Sequence, residues 1–160
     1  MECTAIRDDM GTWANDPFGN DLACDWVFDL TKKGNSGLFG KPGLNFIKAT
    51  LEKALSTGDE YLEAPDADEG IAAADTVARL RGHFYERNAY TKRLDGWVAK
   101  EKKSDHQPLA TLALKVVERV LSQPSELLDL WEESAEAESW KQQMATLKER
   151  LLAPPANQEG

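Results

Sequence analysis

Between Leu109 and Val120 the apolar residues Leu109, Leu112, Ala113, Val116, Val117 and Val120 recur at intervals of three and four. That period gathers them on one stripe of an α-helix and scatters them over both faces of a strand, so the segment buries its apolar side only as a helix. Leu22, Ala23, Trp26, Val27 and Leu30 repeat the pattern, as do Leu44, Ile47, Leu51 and Leu55, and Trp140, Met144, Leu147 and Leu151. No alternating run exceeds a few residues, and no strand–helix–strand order appears. The chain is therefore expected to be all-α, a single compact domain of about six or seven packed helices. No repeat of fixed period points to a solenoid.

Punctuation divides the helices. Asn20 or Asp21 can cap the first, and Gly34, Gly37, Gly40, Pro42 and Gly43 mark a loop before the second. Gly58 is expected to end the second helix. After Pro65, Asp66 and Glu69 have the spacing of a capping box ahead of an alanine-rich helix that runs to about Leu80 and is closed by Gly82. Ala72, Ala73, Ala74 and Ala78 are its expected contact face, because small side chains let helices approach closely. A short helix is expected around Leu94, Trp97 and Val98. Gln123-Pro124 breaks the chain again, Ser125 caps a helix carrying Leu127, Leu128, Leu130 and Trp131, and Ser139 to Gln142 reads as a capping box for the last helix.

Among 160 residues, 41% are hydrophobic and 29% charged, which suits a globular domain able to bury about two-thirds of its unfolded surface. The apolar runs are too short to span a bilayer, and the opening residues MECTAIRDD lack a basic start and apolar centre, so a cytoplasmic protein is expected. Cys3 and Cys24 are too few for a disulfide framework and are read as reduced thiols, Cys24 at the edge of a helix core.

The net charge is -9, unevenly spread. Residues 1–75 carry 6 basic and 15 acidic side chains (-9), residues 76–105 carry 8 and 4 (+4), and residues 106–160 carry 5 and 9 (-4). Such a chain repels phosphate backbones, which excludes nucleic acid as an expected partner and favours basic proteins. Two acidic stretches stand out. Asp21, Asp25 and Asp29 fall at successive i, i+4 positions on one helix face. Asp59, Glu60, Glu63, Asp66, Asp68, Glu69 and Asp75 follow one another with no Lys or Arg between them. A solvated face and a partner-binding face are both consistent with this pattern.

The segment MGTWANDPFGNDLACDW, through Met10, Gly11, Trp13, Pro17, Phe18, Asn20, Asp21, Ala23, Asp25 and Trp26, resembles the start of a bacterial family called domain of unknown function 4259. Tyr61-Leu62-Glu63-Ala64-Pro65, Ser125-Glu126-Leu127, Leu130-Trp131-Glu132-Glu133 and Trp140 with Leu147, Arg150 and Leu151 are similar as well. The chain departs from the family at Ala14 and Asp16, where glycines are usual. The resemblance implies a fold and a bacterial source and brings no reaction. Residues 1–9 precede the pattern and read as an extension, 10–153 as the domain and 154–160 as a polar tail. Trp13, Phe18 and Trp26 are expected as core anchors, which makes the opening segment an aromatic plug with a capping turn.

No chemistry is spelled out. His83 and His106 lie too far apart in sequence for a local metal site, the 21/25/29 carboxylates form a line instead of an oxygen cage, and the glycine loop lacks a following Lys-Ser or Lys-Thr. No catalytic residue, metal or cofactor is expected. The expected function is a cytoplasmic immunity protein, one-to-one with a basic antibacterial toxin such as a DNase effector of a type VI-like secretion system. Asp21, Asp25, Asp29, Glu60, Glu63, Asp66, Asp68 and Glu69 would steer association, and Tyr61, Leu62 or Tyr85 would anchor it. The alternatives are an enzyme or small-ligand domain whose site joins His83, Tyr85 and Glu86 to Asp21 or Asp25, and an adaptor that dimerises through Trp97 or Trp131.

Overall fold

The computed structural model describes residues 21–33, 42–84, 91–101 and 106–154. These form seven helices: α1 (Asp21–Lys33), α2 (Pro42–Leu55), α3 (Ala64–Leu80), α4 (Lys92–Lys100), α5 (Gln107–Val120), α6 (Glu126–Glu132) and α7 (Ala137–Leu152). The plug residues Met10 to Asn20, the centre of the glycine loop and Tyr85 lie outside the described residues.

The architecture is organised around α3, which touches all six other helices. Its sequence explains this position. Every residue from Gly70 to Leu80 is buried, as a helix surrounded by others requires, and most are small. Gly70 marks a close approach: a Cβ there would lie 2.9 Å from Val116 Cγ1 on α5 and 3.1 Å from Ala54 Cβ on α2. The expected alanine face is fully buried, the α7 stripe is buried, and the α5 stripe is buried at Ala113, Val116, Val117 and Val120, with Leu109 and Leu112 half-buried at its start.

The ends of α3 divide between sequence expectation and correction. Gly82, at φ +94, closes it as expected. His83 N donates to Ala78 O and Gly82 N to Arg79 O, the paired bonds of a Schellman turn that needs a residue free to adopt positive φ. The Asp66–Glu69 capping box is not how the helix starts. It begins two residues earlier, with Pro65 in the first turn, and the Ala64 N–H donates to Glu126 Oε1 of α6 at 2.8 Å. A carboxylate distant in sequence thus caps the orphan donor. Ser125 does cap α6, accepting from Leu128 N at 3.4 Å. Ser139 does not cap α7, which starts at Ala137 after Glu136.

Asp75 departs furthest from the acidic surface suggested by composition. It is fully buried in α3 and accepts from Arg79 Nε at 2.6 Å and from Arg150 Nη1 and Nη2 at 2.7 and 3.2 Å. Arg79 Nη1 also donates to Asp95 Oδ1 at 2.7 Å, and Arg150 Nε donates to the His83 carbonyl at 2.9 Å. Burial alone would raise the Asp75 pKa, but Arg150 and Arg79 more than offset it and hold the carboxylate below its ordinary range. The network ties α3, α4 and α7 together.

Cys24 is buried and disulfide-bonded, against the reduced thiol expected; its partner lies outside the described residues. Counting cysteines does not reveal whether a fold brings them together. Trp97 is also buried, which removes it as a dimer contact.

Candidate functional site

Several acidic side chains left outside the core, from α1, the loop before α3, α3 itself and α6, lie around the N-terminal end of α3. The loop before it is fixed by Arg119, whose guanidinium donates to the carbonyls of Gly58 at 3.0 Å, Glu60 at 2.6 Å, Ser122 at 2.8 Å and Pro124 at 3.0 Å. Leu62 then pairs with the turn before α6: its N–H donates to Pro124 O at 3.1 Å and its carbonyl accepts from Glu126 N at 2.9 Å. These bonds set Glu60, Tyr61 and Glu63 on the surface in a defined order, all exposed. Leu62 itself is fully buried. It is a core residue and not a partner anchor, because the alternation of an extended segment turns it inward while Tyr61 and Glu63 face out.

From there the carboxylates run on as a belt. Tyr61 is half exposed, and its hydroxyl pKa is raised by partial desolvation and by Glu126, Asp129 and Glu63. Asp68, on the first turns of α3, is partly buried; burial first, then Glu69 and Glu126, push its pKa to about 7. It therefore carries less charge at neutral pH than a surface aspartate. Burial also raises the pKa of Glu69; Lys53 opposes the rise, while Asp66 and Asp29 add to it. Asp29 belongs to α1, so the two acidic stretches recognised in the sequence meet in space. Asp25, exposed one turn before Asp29, extends the face along α1. The side chain of Asp21 lies outside the described residues.

Where the stretches meet, Trp26, Asp29, Phe46, Ala49, Thr50, Lys53 and Glu69 line an open recess of about 270 Å³ between α1, α2 and α3. Trp26 is the core anchor expected: its Nε1 donates to Thr50 Oγ1 at 2.8 Å and its ring stacks on Phe46 at 5.5 Å. Lys53, exposed, sits 3.4 Å from the half-buried Asp66, a single surface pair that neutralises little of the belt.

Glu126 and Asp129 were not among the partner-binding residues expected from sequence, although both belong to the belt. The available signal was their i, i+3 spacing on α6, and no local motif tied that helix to residues 60–69. His83 is occupied elsewhere, its Nε2 2.6 Å from Pro154 O. Among the described residues, no group of three His, Cys, Asp or Glu is placed to hold a metal, and no helix is long and apolar enough to cross a membrane.

No curated protein and no solved structure matches the chain. One family model, Domain of unknown function (DUF4259), does match, over residues 11–143, from before α1 into α7 and including the whole acidic belt; the chain belongs to that family.

Proposed function

We propose that this protein binds and occludes a basic protein, as an immunity protein neutralising an antibacterial toxin, most simply a DNA-cleaving effector delivered between bacteria. The observation that carries the reading is the crowding itself. Carboxylates from α1, the 59–63 loop, α3 and α6 lie close enough to raise one another's pKa or that of Tyr61, while Lys53 pairs with Asp66 and Arg119 is taken up by backbone carbonyls. Like charges held together destabilise a fold, and a cationic partner turns that repulsion into attraction. The dipole of α3 accounts for Glu63, Asp66 and Glu126 at its N-terminus, but not for Asp29 on α1 or Asp129 farther along α6.

A DNA-cleaving partner implies action in the cytoplasm. The Cys24 disulfide weighs the other way, since such bonds persist mainly in oxidising compartments. The test begins with the reading frame beside this one. Its basic product, purified and mixed with this protein, should lose DNA cleavage at a one-to-one ratio. A neighbouring nuclease that cleaves undiminished at excess of this protein overturns the reading.

A further inference from the structure

Among the described residues, the large apolar side chains left exposed are Phe28, Tyr61, Leu130 and Leu152. Tyr61 and Leu130 stand beside the same carboxylates. Leu130 is 52% exposed, although its helix spacing groups it with the buried Leu127. With Leu127, Trp131 and Ser134 it lines an apolar recess of about 260 Å³. Leu127, Leu130 and Trp131, at i, i+3 and i+4, share one stripe of α6, and Ser134 follows just past its end. Trp131 gives the recess a firm wall, because its ring lies flat on Trp140 of α7 with centroids 5.6 Å apart and planes 6° apart.

The rim is acidic and fixed. Glu126 and Asp129 each precede a recess residue by one position, which sets them side by side along the flank of Leu130. Glu126 is held by the Ala64 N–H, and Asp129 Oδ1 accepts from Gln123 Nε2 at 2.7 Å. Both act on the Tyr61 hydroxyl. An apolar floor beside oriented carboxylates matches the anatomy of a binding hot spot, in which a dry centre is flanked by polar groups.

We infer that this recess docks an amphipathic, lysine- or arginine-bearing segment of the basic partner, its apolar side chain against Leu127, Leu130 and Trp131 and its cation on Glu126 and Asp129. Charge complementarity favours this occupant over a second copy, since this chain is basic only over residues 76–105 (+4) and acidic as a whole, at -9. The inference rests on the proposed function for the sign of the partner's charge and adds a division of labour. The belt around α3 governs how fast the partner arrives, and the α6 recess governs how long it stays.

The probe is a fluorescein-labelled helical peptide of about 18 residues with leucine on one face and lysine on the other, compared with a scramble of equal composition. Binding to the full chain is read by anisotropy at physiological salt, where surface charge is partly screened. The expected result is roughly tenfold tighter binding of the amphipathic peptide, a preference that Leu130→Ser abolishes without changing affinity for the scramble. Leu152→Ser, at an exposed leucine outside the recess, should keep the preference. A preference that survives Leu130→Ser, a preference equally lost in Leu152→Ser, or none in the wild type overturns the inference. So does a dimer of the wild type that Leu130→Ser converts to monomer, because a second copy then fills the recess. Nuclease inhibition is scored separately, so failure here and failure of the immunity reading are distinguishable.

Discussion

Replacing Asp75 with asparagine asks whether the ion network at the centre of the fold supports it. The side chain is fully buried and receives three bonds from two guanidinium groups, at 2.6, 2.7 and 3.2 Å. Asparagine keeps one oxygen but turns an NH2 donor toward groups that only donate, and it leaves Asp95, bonded to Arg79, as the remaining carboxylate of the network while Arg150 keeps the His83 carbonyl. Removing one member of a buried pair costs about 3–5 kcal/mol. At ~2–4 °C per kcal/mol for a chain of this size, the expected fall in Tm is roughly 6–20 °C. Urea unfolding measured alongside thermal scans gives the free energy. Asp75→Asn combined with Arg150→Gln should be less destabilised than the sum of the single changes by about 1 kcal/mol or more. Because the folded pKa of Asp75 is depressed, its contribution is present above the ordinary aspartate value and lost as pH falls through the lower folded one. The deficit of the variant should therefore shrink below about pH 4. A loss under about 1 kcal/mol at neutral pH, or strict additivity, would refute the reasoning.

Asp68→Asn should act in the opposite direction. Wild-type Asp68 has a raised folded pKa, so ionisation weakens the native state as pH climbs from the usual aspartate range to about 7. The Tm advantage of the variant should accordingly be larger near about pH 8 than near about pH 5, and an equal advantage at both would contradict the assignment. Arg119→Met keeps the aliphatic stem but drops four carbonyl contacts, and should lower stability by about 1–3 kcal/mol and speed hydrogen exchange at the Leu62 amide. Gly70→Ala gains about 1 kcal/mol of helix propensity but forces a methyl within 2.9 Å of the stiff Val116 side chain, so a net loss is expected, and Val116→Ala in the same chain should recover part of it.

Helix number and core faces were legible because they depend on period, which short windows carry. Trp26, Ile47, Val116 and Leu147 all fall inside as their spacing demands. The candidate site was legible in part. Composition identified an acidic stretch at residues 59–75, yet treated Asp75, Asp68 and Glu63 alike. The fold separates them into an ion-paired core residue, a partly buried carboxyl with a raised pKa and an exposed charge. That separation depends on Arg150, which is 75 positions from Asp75, and on Glu126, which is 62 from Ala64. Leu130 was hidden for a local reason. Its helix is seven residues long, too short for spacing to decide which apolar side chain reaches solvent.

The most direct measurement of the central claim is the association rate with the basic partner across ionic strength, for the wild type and for Asp29→Asn, Glu63→Gln and Asp66→Asn combined. Electrostatic steering predicts a wild-type rate that drops by about tenfold or more from low to high salt, and a variant that starts slower and responds less. Equal rates for the two proteins, or a wild-type rate indifferent to salt, would contradict it.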